Sequence, residues 1–186
     1  MSERIRAELA YIEPLDETEQ AHLDDALAWV ASGAPLFRTA KPATPPKHLV
    51  AYFAVVDEGH VLLVDHRNAQ MWLPTGGHVE PGEDPRVTVA RELLEELSIT
   101  ITPEQVAPPC MVTVTETVGL TAGHVDVSIW YAVRASRAAP VVFDRDEFQD
   151  ARWFPFDEAA RLRSDPHLAR FLAKLSVSAA PPASLQ

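Results

Sequence analysis

The segment GGHVEPGEDPRVTVARELLEELSI, residues 76–99, constrains the fold of this chain more than any other stretch. Asp84 is a favourable N-cap and Pro85 a favourable first helical residue, so the sequence predicts a helix over about 85–97. The apolar positions of this helix centre on one side, at Val87, Ala90, Leu94 and Leu97. The opposite stripe holds Thr88, Glu92, Glu95 and Glu96. We therefore expect the leucines to pack on a sheet and the glutamates to face outward.

The glutamates of this helix, together with Glu83 just upstream, form an unusual cluster of like charges. Glutamates near a helix C-terminus oppose the helix dipole, and carboxylates three or four residues apart repel one another. Arg91 can reach Glu95 on the next turn, but one arginine does not neutralise four carboxylates. The alternatives are a solvated acidic face and a cation site. Mg²⁺ is typically held by a few carboxylates with water and substrate phosphates, and the positions of the glutamates favour such a site.

The spacing of these residues resembles the signature of the Nudix (MutT-like) hydrolases. That pattern is glycine, five residues, glutamate, seven residues, Arg-Glu, an aliphatic residue, any residue, Glu-Glu, any residue, glycine and an aliphatic residue. The matching residues here are Gly77, Glu83, Arg91, Glu92, Leu93, Glu95, Glu96 and Ile99. Ser98 replaces the second glycine, and a left-handed C-cap there would cost serine about 1 kcal/mol. The preceding WLPTGG is also similar to the family.

The resemblance implies a hydrolase that binds Mg²⁺ or Mn²⁺ and cleaves a diphosphate linked to another group. It implies catalytic roles for Arg91, Glu92, Glu95 and Glu96. Arg91 would orient the carboxylates, and the glutamates would bind the metal or act as the base on water. The implied metal ligands are the Gly76 carbonyl, Glu83, Glu92, Glu95, Glu96 and Glu147. Among them, Glu83 would lie just outside the direct ligands of the first metal or would bind a second metal. Glu147 would reach the site from an acidic loop.

Four residues outside the helix are candidates for contact with a phosphorylated small-molecule substrate: Trp72, His78, Arg67 and His124. Trp72 would either stack on a base or belong to the core, and Arg67 would clamp phosphate. His48, His66 and Asp126 also fall at the edges of strands around the expected cleft. A histidine at the end of a strand is more often a structural hydrogen-bonder than a ligand.

The remainder of the chain predicts an α/β domain with a mixed sheet, and the resemblance implies a Nudix-type α/β/α sandwich. Runs rich in β-branched and aromatic residues predict strands over 49–56, 60–66, 110–118, 124–133, 141–143 and 151–156. We expect an N-terminal helical extension over 1–40, a Nudix hydrolase domain over 41–175 and a flexible C-terminal tail over 176–186. The first segment packs on something, because its apolar residues recur at helical spacing. Covering the cleft, forming a homodimer and extending the core are the alternatives.

The formal net charge of −11 argues against affinity for a nucleic acid polymer. Cys110 is the only cysteine, so the chain has neither an intrachain disulfide nor a cysteine-based zinc cluster. The sequence shows no signal core and no apolar stretch long enough to span a bilayer, which predicts a cytoplasmic protein without membrane association.

Two other functions stay open at this point. One is a catalytically idle Nudix-like module that binds a nucleotide or a protein, although such modules tend to lose the carboxylates that are intact here. The other is an enzyme similar to isopentenyl-diphosphate isomerase, which needs a reactive cysteine. The substrate is also open between nucleoside triphosphates, sugar nucleotides and non-nucleotide diphosphates.

Overall fold

A mixed sheet forms the centre of the computed structural model, which describes residues 1–41, 44–117 and 123–178. Its strands are β1 (Lys47–Asp57), β2 (His60–His66), β3 (Met71–Leu73), β4 (Thr75–His78), β5 (Met111–Glu116), β6 (Val125–Arg134) and β7 (Phe148–Pro155). The helices are α1 (Ser2–Leu9), α2 (Glu17–Ala31), α3 (Pro85–Leu97), α4 (Phe156–Ala159) and α5 (Leu168–Ser178), with a 3₁₀ turn at Pro103–Gln105.

The sheet is built around β1, which pairs with three other strands. The main strand order is β3-β2-β1-β6-β5, with β4 added to β1 and β7 added to β2. β1 and β6 run parallel, whereas the other pairs are antiparallel. Because β1 is covered on both faces, it is apolar almost throughout, which is why it was recognisable in the sequence.

Helices cover both faces of the sheet and make it the middle layer of an α/β/α sandwich. One hydrophobic cluster joins the odd-numbered residues of β1 from Leu49 to Val55 to α1, α2 and α3. A second cluster joins Ala54 and Val56 to α4 and α5. This alternation follows from the two-residue period of a strand and confirms the predicted fold class.

The N-terminal helices contribute to the same core as the sheet. Ile5, Leu9 and Leu23 are buried in the cluster that contains β1. Asp16 caps α2 by accepting hydrogen bonds from the backbone N–H groups of Thr18 and Glu19. The division into 1–40, 41–175 and 176–186 stays a prediction: α5 extends into the last segment as far as Ser178, and 179–186 lies outside the described residues. No helix within the described ranges is both long and apolar enough to cross a membrane.

Two details of the predicted elements are wrong. Residues 141–143 form no strand. In α3 the buried stripe is Val89, Leu93 and Leu97, while Leu94 is 53% exposed and Glu96 only 8% exposed. Leu93 and Leu94 are adjacent, so helical spacing alone allows either to face the core. Docking against the sheet selects Leu93 and turns Glu96 inward.

Candidate active site

The site begins where β4 lies against α3. The backbone of Gly77 pairs with Ala51 of β1, and that of Gly76 pairs with Tyr52. A Cβ atom at Gly77 would lie 1.8 Å from Oε1 of Glu92, and one at Gly76 would lie 2.5 Å from Cδ2 of Tyr52. Glycine is required at both positions because the strand backbone contacts these side chains directly.

Arg91 binds three of the clustered carboxylates. Its Nε and Nη2 atoms donate to Glu83 at 3.2 Å each, and its Nη1 donates to Glu92 at 2.7 Å and to Glu95 at 3.4 Å. Thr88 also donates to Glu83, at 2.7 Å. Burial alone would raise the pKa of Glu83, but the hydrogen bonds from Arg91 and Thr88 hold it below its ordinary value.

Glu96 lies deeper than the other glutamates and is not bound by the arginine in the described structure. Its Oε2 atom is buried and has no hydrogen-bond partner among the described residues. Burial, with the charges of Glu92, Glu147 and Glu95, raises the pKa of Glu96 to about 9. Burial also raises the pKa of Glu92. The arrangement therefore lacks a positive partner at Glu96, whereas Arg91 compensates Glu92 in part.

The loop before β7 brings Glu147 to the same place. Glu147 and Glu96 line a polar depression together with Gly76, Gly77, Glu92 and Arg91. Arg67 positions this loop, because its Nε donates to the Arg145 carbonyl and its backbone N–H donates to the Glu147 carbonyl, both at 3.0 Å. Arg67 therefore contacts the backbone of this loop, both through its guanidinium and through its own N–H.

A cleft of about 400 Å³ opens beside the glutamates. Its lining includes Gly76, His78, Glu96, Thr117, Asp126 and Glu147. A volume of this size suits a small organic ligand. The cleft and the polar depression share Gly76, Gly77, His78, Glu96 and Glu147, so a ligand in the cleft would touch the carboxylates.

Two of the predicted substrate contacts, His78 and His124, lie close together beside this cleft. Their ring centroids are 6.5 Å apart, and His48 lies between them at 4.8 Å from His78 and 4.9 Å from His124. Asp126 completes the group, with Oδ1 3.3 Å from Nε2 of His48 and 3.4 Å from Nε2 of His124. Burial, together with the charge of Arg38 and the neighbouring imidazoles, lowers the pKa of His78 to about 3.

Trp72 is placed away from these groups. Its ring packs edge-on against Phe154, with centroids 5.0 Å apart, in the cluster that lies under α4 and α5. The guanidinium of Arg152 lies over the same ring at 5.5 Å. The sequence allowed Trp72 either to stack on a base or to belong to the core, and this geometry agrees with the core position.

Arg38 is a site residue that the sequence analysis did not single out. It borders the polar depression with Arg91 and Glu92, although its segment reads as a proline-rich connector. No local pattern marks it, because its position depends on how the chain enters β1.

Comparisons with known proteins agree with this geometry. Residues 46–175 match the family model described as NUDIX domain. A comparison with curated proteins found no match. Among solved structures, the E. coli ORF135 protein is 27% identical, with a TM-score of 0.58 over 75% of this chain and 96% of its own.

Two further structures share the fold at lower identity. An Ap4A hydrolase from C. elegans is 22% identical, with a TM-score of 0.56 over 70% of this chain and 96% of its own. The dihydroneopterin triphosphate pyrophosphohydrolase of E. coli is 19% identical, with a TM-score of 0.59 over 78% of this chain and all of its own. Because the family model spans well over half of the sequence, the chain belongs to the Nudix family and is a MutT-like hydrolase.

Proposed function

We propose that this enzyme hydrolyses the diphosphate linkage of a nucleoside diphosphate derivative or a related small molecule, with Mg²⁺ or Mn²⁺ as cofactor. The observation that carries the proposal is the state of Glu96. Its buried Oε2 has no hydrogen-bond partner among the described residues, and three further carboxylates act on it electrostatically. A buried carboxylate without compensation is costly, and a divalent cation with oxygen ligands compensates it.

The residues present fit such a cation. The groups that would hold it are the Gly76 carbonyl, Glu92, Glu95 and Glu96, with Glu147 from the opposite loop and Glu83 behind Arg91. When bound, the cation supplies positive charge that neutralises phosphate and lowers the pKa of water. Members of this family generally use a divalent metal, which agrees with the donor set.

The side chains of the chain itself would perform two tasks. Arg91 would hold Glu83, Glu92 and Glu95 in one arrangement, because its guanidinium already contacts all three. A glutamate among Glu92, Glu95 and Glu96 would take a proton from the attacking water. The water oxygen then bonds to phosphorus, the bridging P–O bond breaks, and the second phosphate leaves with the bridging oxygen.

The cleft would hold the part of the substrate beyond the phosphates. Its apolar lining includes Val50, Tyr52 and Met71, beside the polar Thr117 and Ser128. The named activities of the Ap4A hydrolase and the dihydroneopterin triphosphate pyrophosphohydrolase support a phosphorylated, nucleotide-like substrate. His78 and His124 would contribute to the walls of this cleft, and Trp72 and Arg67 would support it indirectly.

The isomerase alternative is disfavoured by the position of the only thiol. Cys110 lines a separate cavity formed with residues such as Pro108 and Phe156. Burial raises the pKa of Cys110 to about 11, so the thiol is inert near neutral pH. The cytoplasmic location and the absence of nucleic acid and membrane partners stay predictions from composition.

The test is a hydrolysis screen with Mg²⁺ over dNTPs, ADP-ribose, diadenosine polyphosphates, nucleotide sugars and prenyl diphosphates. The wild type is compared with Glu96→Gln and with Glu17→Gln, which alters an exposed acid in α2. We expect cleavage of the diphosphate linkage in at least one class, monitored by separation of the products, a loss of kcat of about 10²- to 10⁴-fold in Glu96→Gln, and no change in Glu17→Gln. Binding of a nucleotide without turnover in any class would instead support the idle module.

A further inference from the structure

A second group of ligating side chains lies at one end of the sheet, outside the glutamate cluster. We call His48, His78, His124 and Asp126 the histidine cluster. One nitrogen or carboxylate oxygen from each of the four lies within 4.8 Å of the others. The family's signature residues do not include any member of this cluster, and its carboxylate is distinct from the glutamates of α3.

Strand register brings the four side chains to the same face. His48 of β1 lies directly beside Asp126 of β6, so their side chains point the same way. His124 is two residues before Asp126 and therefore shares its face. His78 pairs with Val50, which is two residues beyond His48 on β1. The convergence is thus a product of three strands and does not depend on any flexible side chain.

Three atoms of the histidine cluster are buried without a hydrogen bond among the described residues. They are Nε2 of His48, Nε2 of His78 and Oδ1 of Asp126. His48 is fully buried and His124 is 7% exposed. Buried polar atoms are normally satisfied, so three of them facing one another indicate a shared partner of positive charge.

The outer nitrogens of two histidines have partners that fix their tautomers. Nδ1 of His48 lies 2.8 Å from the Pro45 carbonyl, so Nδ1 carries the proton and Nε2 offers a lone pair. The Thr117 hydroxyl donates to the His124 carbonyl at 3.1 Å and lies 3.2 Å from Nδ1 of His124. With that proton on the carbonyl, the hydroxyl oxygen is placed to accept from Nδ1–H, the tautomer in which Nε2 of His124 offers a lone pair. Such outer hydrogen bonds are typical of metal-binding histidines.

Two of the six separations among the four ligand atoms equal the edge of a zinc tetrahedron. Zinc binds histidine nitrogen at about 2.0–2.1 Å, so ligand atoms at neighbouring corners of a tetrahedron are about 3.3–3.4 Å apart. The two measured separations from Asp126 Oδ1, to Nε2 of His48 and to Nε2 of His124, are 3.3 and 3.4 Å. We propose that His48, His78, His124 and Asp126 bind one zinc ion in a closed, tetrahedral structural site.

The donor atoms of the histidine cluster favour Zn²⁺ over the Mg²⁺ proposed for the glutamates. Mg²⁺ requires oxygen ligands, whereas three imidazoles and one carboxylate suit Zn²⁺. Arg38 also acts electrostatically on both His78 and Asp126, so negative charge alone does not attract an ion here. Direct bonds to nitrogen must therefore provide the affinity.

The role of this ion follows from its position. Four protein ligands leave no open coordination position, which is the pattern of a structural site. The ion would join the start of β1, the end of β4 and the start of β6. His78 and Asp126 line the substrate cleft, so zinc would fix the cleft wall without taking part in hydrolysis.

The test uses the full-length protein, stripped with a chelator and then titrated calorimetrically with Zn²⁺ in excess Mg²⁺. Co²⁺ serves as the spectroscopic probe, because tetrahedral Co²⁺ gives an intense visible absorption. We expect one equivalent of Zn²⁺ and a tetrahedral Co²⁺ spectrum. These readouts do not use hydrolysis, so they stand or fall separately from the proposed function.

Matched variants locate the ion. Asp126→Asn and His124→Gln each remove one ligand at nearly constant shape, and we expect zinc affinity to fall by more than about 100-fold. Thr117→Val removes the hydroxyl that lies beside Nδ1 of His124 and bonds to the His124 backbone, and should weaken binding by about 10- to 100-fold. His66→Gln, which changes a histidine of β2 outside the cluster, should leave affinity unchanged.

Two outcomes would overturn the proposal. If neither Zn²⁺ nor Co²⁺ binds, the positive partner of Asp126 is a proton on an imidazole. If Glu96→Gln abolishes zinc binding and Asp126→Asn does not, the ion belongs to the glutamates. Circular dichroism of each variant separates loss of a ligand from loss of the fold.

Discussion

At the scale of single residues, the position of Glu96 lowers the free energy of unfolding. A carboxylate that is 8% exposed and surrounded by Glu92, Glu95 and Glu147 disfavours the folded chain when no cation is present. Functional sites often keep such unfavourable groups because the reaction needs them. The free energy lost here is the same free energy that a bound cation would recover.

This conflict predicts how Glu96→Gln changes thermal stability. In a chelating buffer at neutral pH we expect its melting temperature to rise by a few degrees, because folding of the wild type must protonate Glu96, whose pKa is raised to about 9, whereas glutamine keeps the shape and is neutral in both states. For a chain of this size, 1 kcal/mol corresponds to about 2–4 °C. Differential scanning calorimetry measures the shift.

Millimolar Mg²⁺ should reverse this order, since the wild type gains more from a ligand that binds only the native state. Glu17→Gln provides the control for removing one negative charge at the surface. A lower melting temperature of Glu96→Gln in chelator would contradict the electrostatic interpretation of this residue.

The sequence predicts that the glutamates lie together, but it does not predict that the histidine cluster does. Glu92, Glu95 and Glu96 lie on one helix, so local spacing was enough to group them. His48, His78 and Asp126 come together only through the register of three strands. Register is set by long-range packing, so the sequence analysis treated these residues singly.

At the scale of secondary-structure elements, the contact between β4 and α3 predicts the effect of Gly77→Ala. The added methyl group would collide with the Glu92 carboxylate at 1.8 Å. A side-chain end can move more easily than the strand, so we expect a folded protein with a displaced Glu92. Activity on the substrate found in the screen should fall by about 10²-fold or more, as for a misplaced catalytic group.

The measurement for Gly77→Ala is kcat, with far-ultraviolet circular dichroism as the check on folding. Gly59→Ala is the matched control, because Gly59 has open space at its Cβ position, at the turn between β1 and β2. Alanine at the positive φ of 76° found at Gly59 should lower the free energy of unfolding, but it should leave the site unaffected. Full activity in Gly77→Ala would show that Glu92 is not needed in its present position.

The end of α3 yields a second prediction at this scale. Ser98 is the C-cap, with φ 54° and ψ 26°, in the left-handed region. Glycine adopts this conformation without the steric cost that serine pays, so Ser98→Gly should stabilise the protein by about 1 kcal/mol. Urea unfolding at equilibrium measures the difference.

A control substitution separates this cap effect from the general effect of glycine. Ala10 is the C-cap of α1 with φ −68° and ψ −14°, an ordinary helical conformation. Ala10→Gly should therefore destabilise by about 0.5–1 kcal/mol. Destabilisation by Ser98→Gly would mean that the serine side chain makes a contribution that outweighs its backbone strain.

The elements themselves were largely predictable, with failures at particular residues. β1, β2 and β6 are rich in β-branched and aromatic residues and were recognised almost to their ends. β3 and β4 are short and interrupted by Pro74, so no strand pattern survives there. Val142 belongs to an apolar run but is 56% exposed, because composition does not say whether a strand partner exists.

At the scale of the whole molecule, the N-terminal segment is bonded to α3 and to the sheet. Glu8 of α1 accepts hydrogen bonds from Arg86 of α3 at 3.1 Å and from the Tyr131 hydroxyl at 3.0 Å. Lys174 of α5 donates to Glu19 of α2 at 2.7 Å. These contacts join the first two helices to α3, β6 and α5.

We therefore expect substitution in α1 to lower the stability of the entire chain. Leu9 is 1% exposed, and Leu9→Ala should cost about 2–5 kcal/mol, the usual range for a leucine removed from a core. Leu15→Ala, at a side chain that is 54% exposed, should change stability by less than about 0.5 kcal/mol. Urea unfolding monitored by tryptophan fluorescence compares the two.

The shape of the transition is as informative as its midpoint. A single cooperative transition that moves as a whole in Leu9→Ala indicates one folding unit. If the main transition of Leu9→Ala coincides with that of the wild type, residues 1–40 instead form a separable extension, as the sequence analysis expected.

The parallel pair at the centre of the sheet also determines when the protein can fold during its synthesis. Ala51 of β1 lies beside Ile129 of β6, and no strand between them in the chain can substitute for that neighbour. The ribosome must therefore release most of the polypeptide before the middle of the sheet can close. Until then β1, which is apolar almost throughout, has an unpaired edge that favours aggregation.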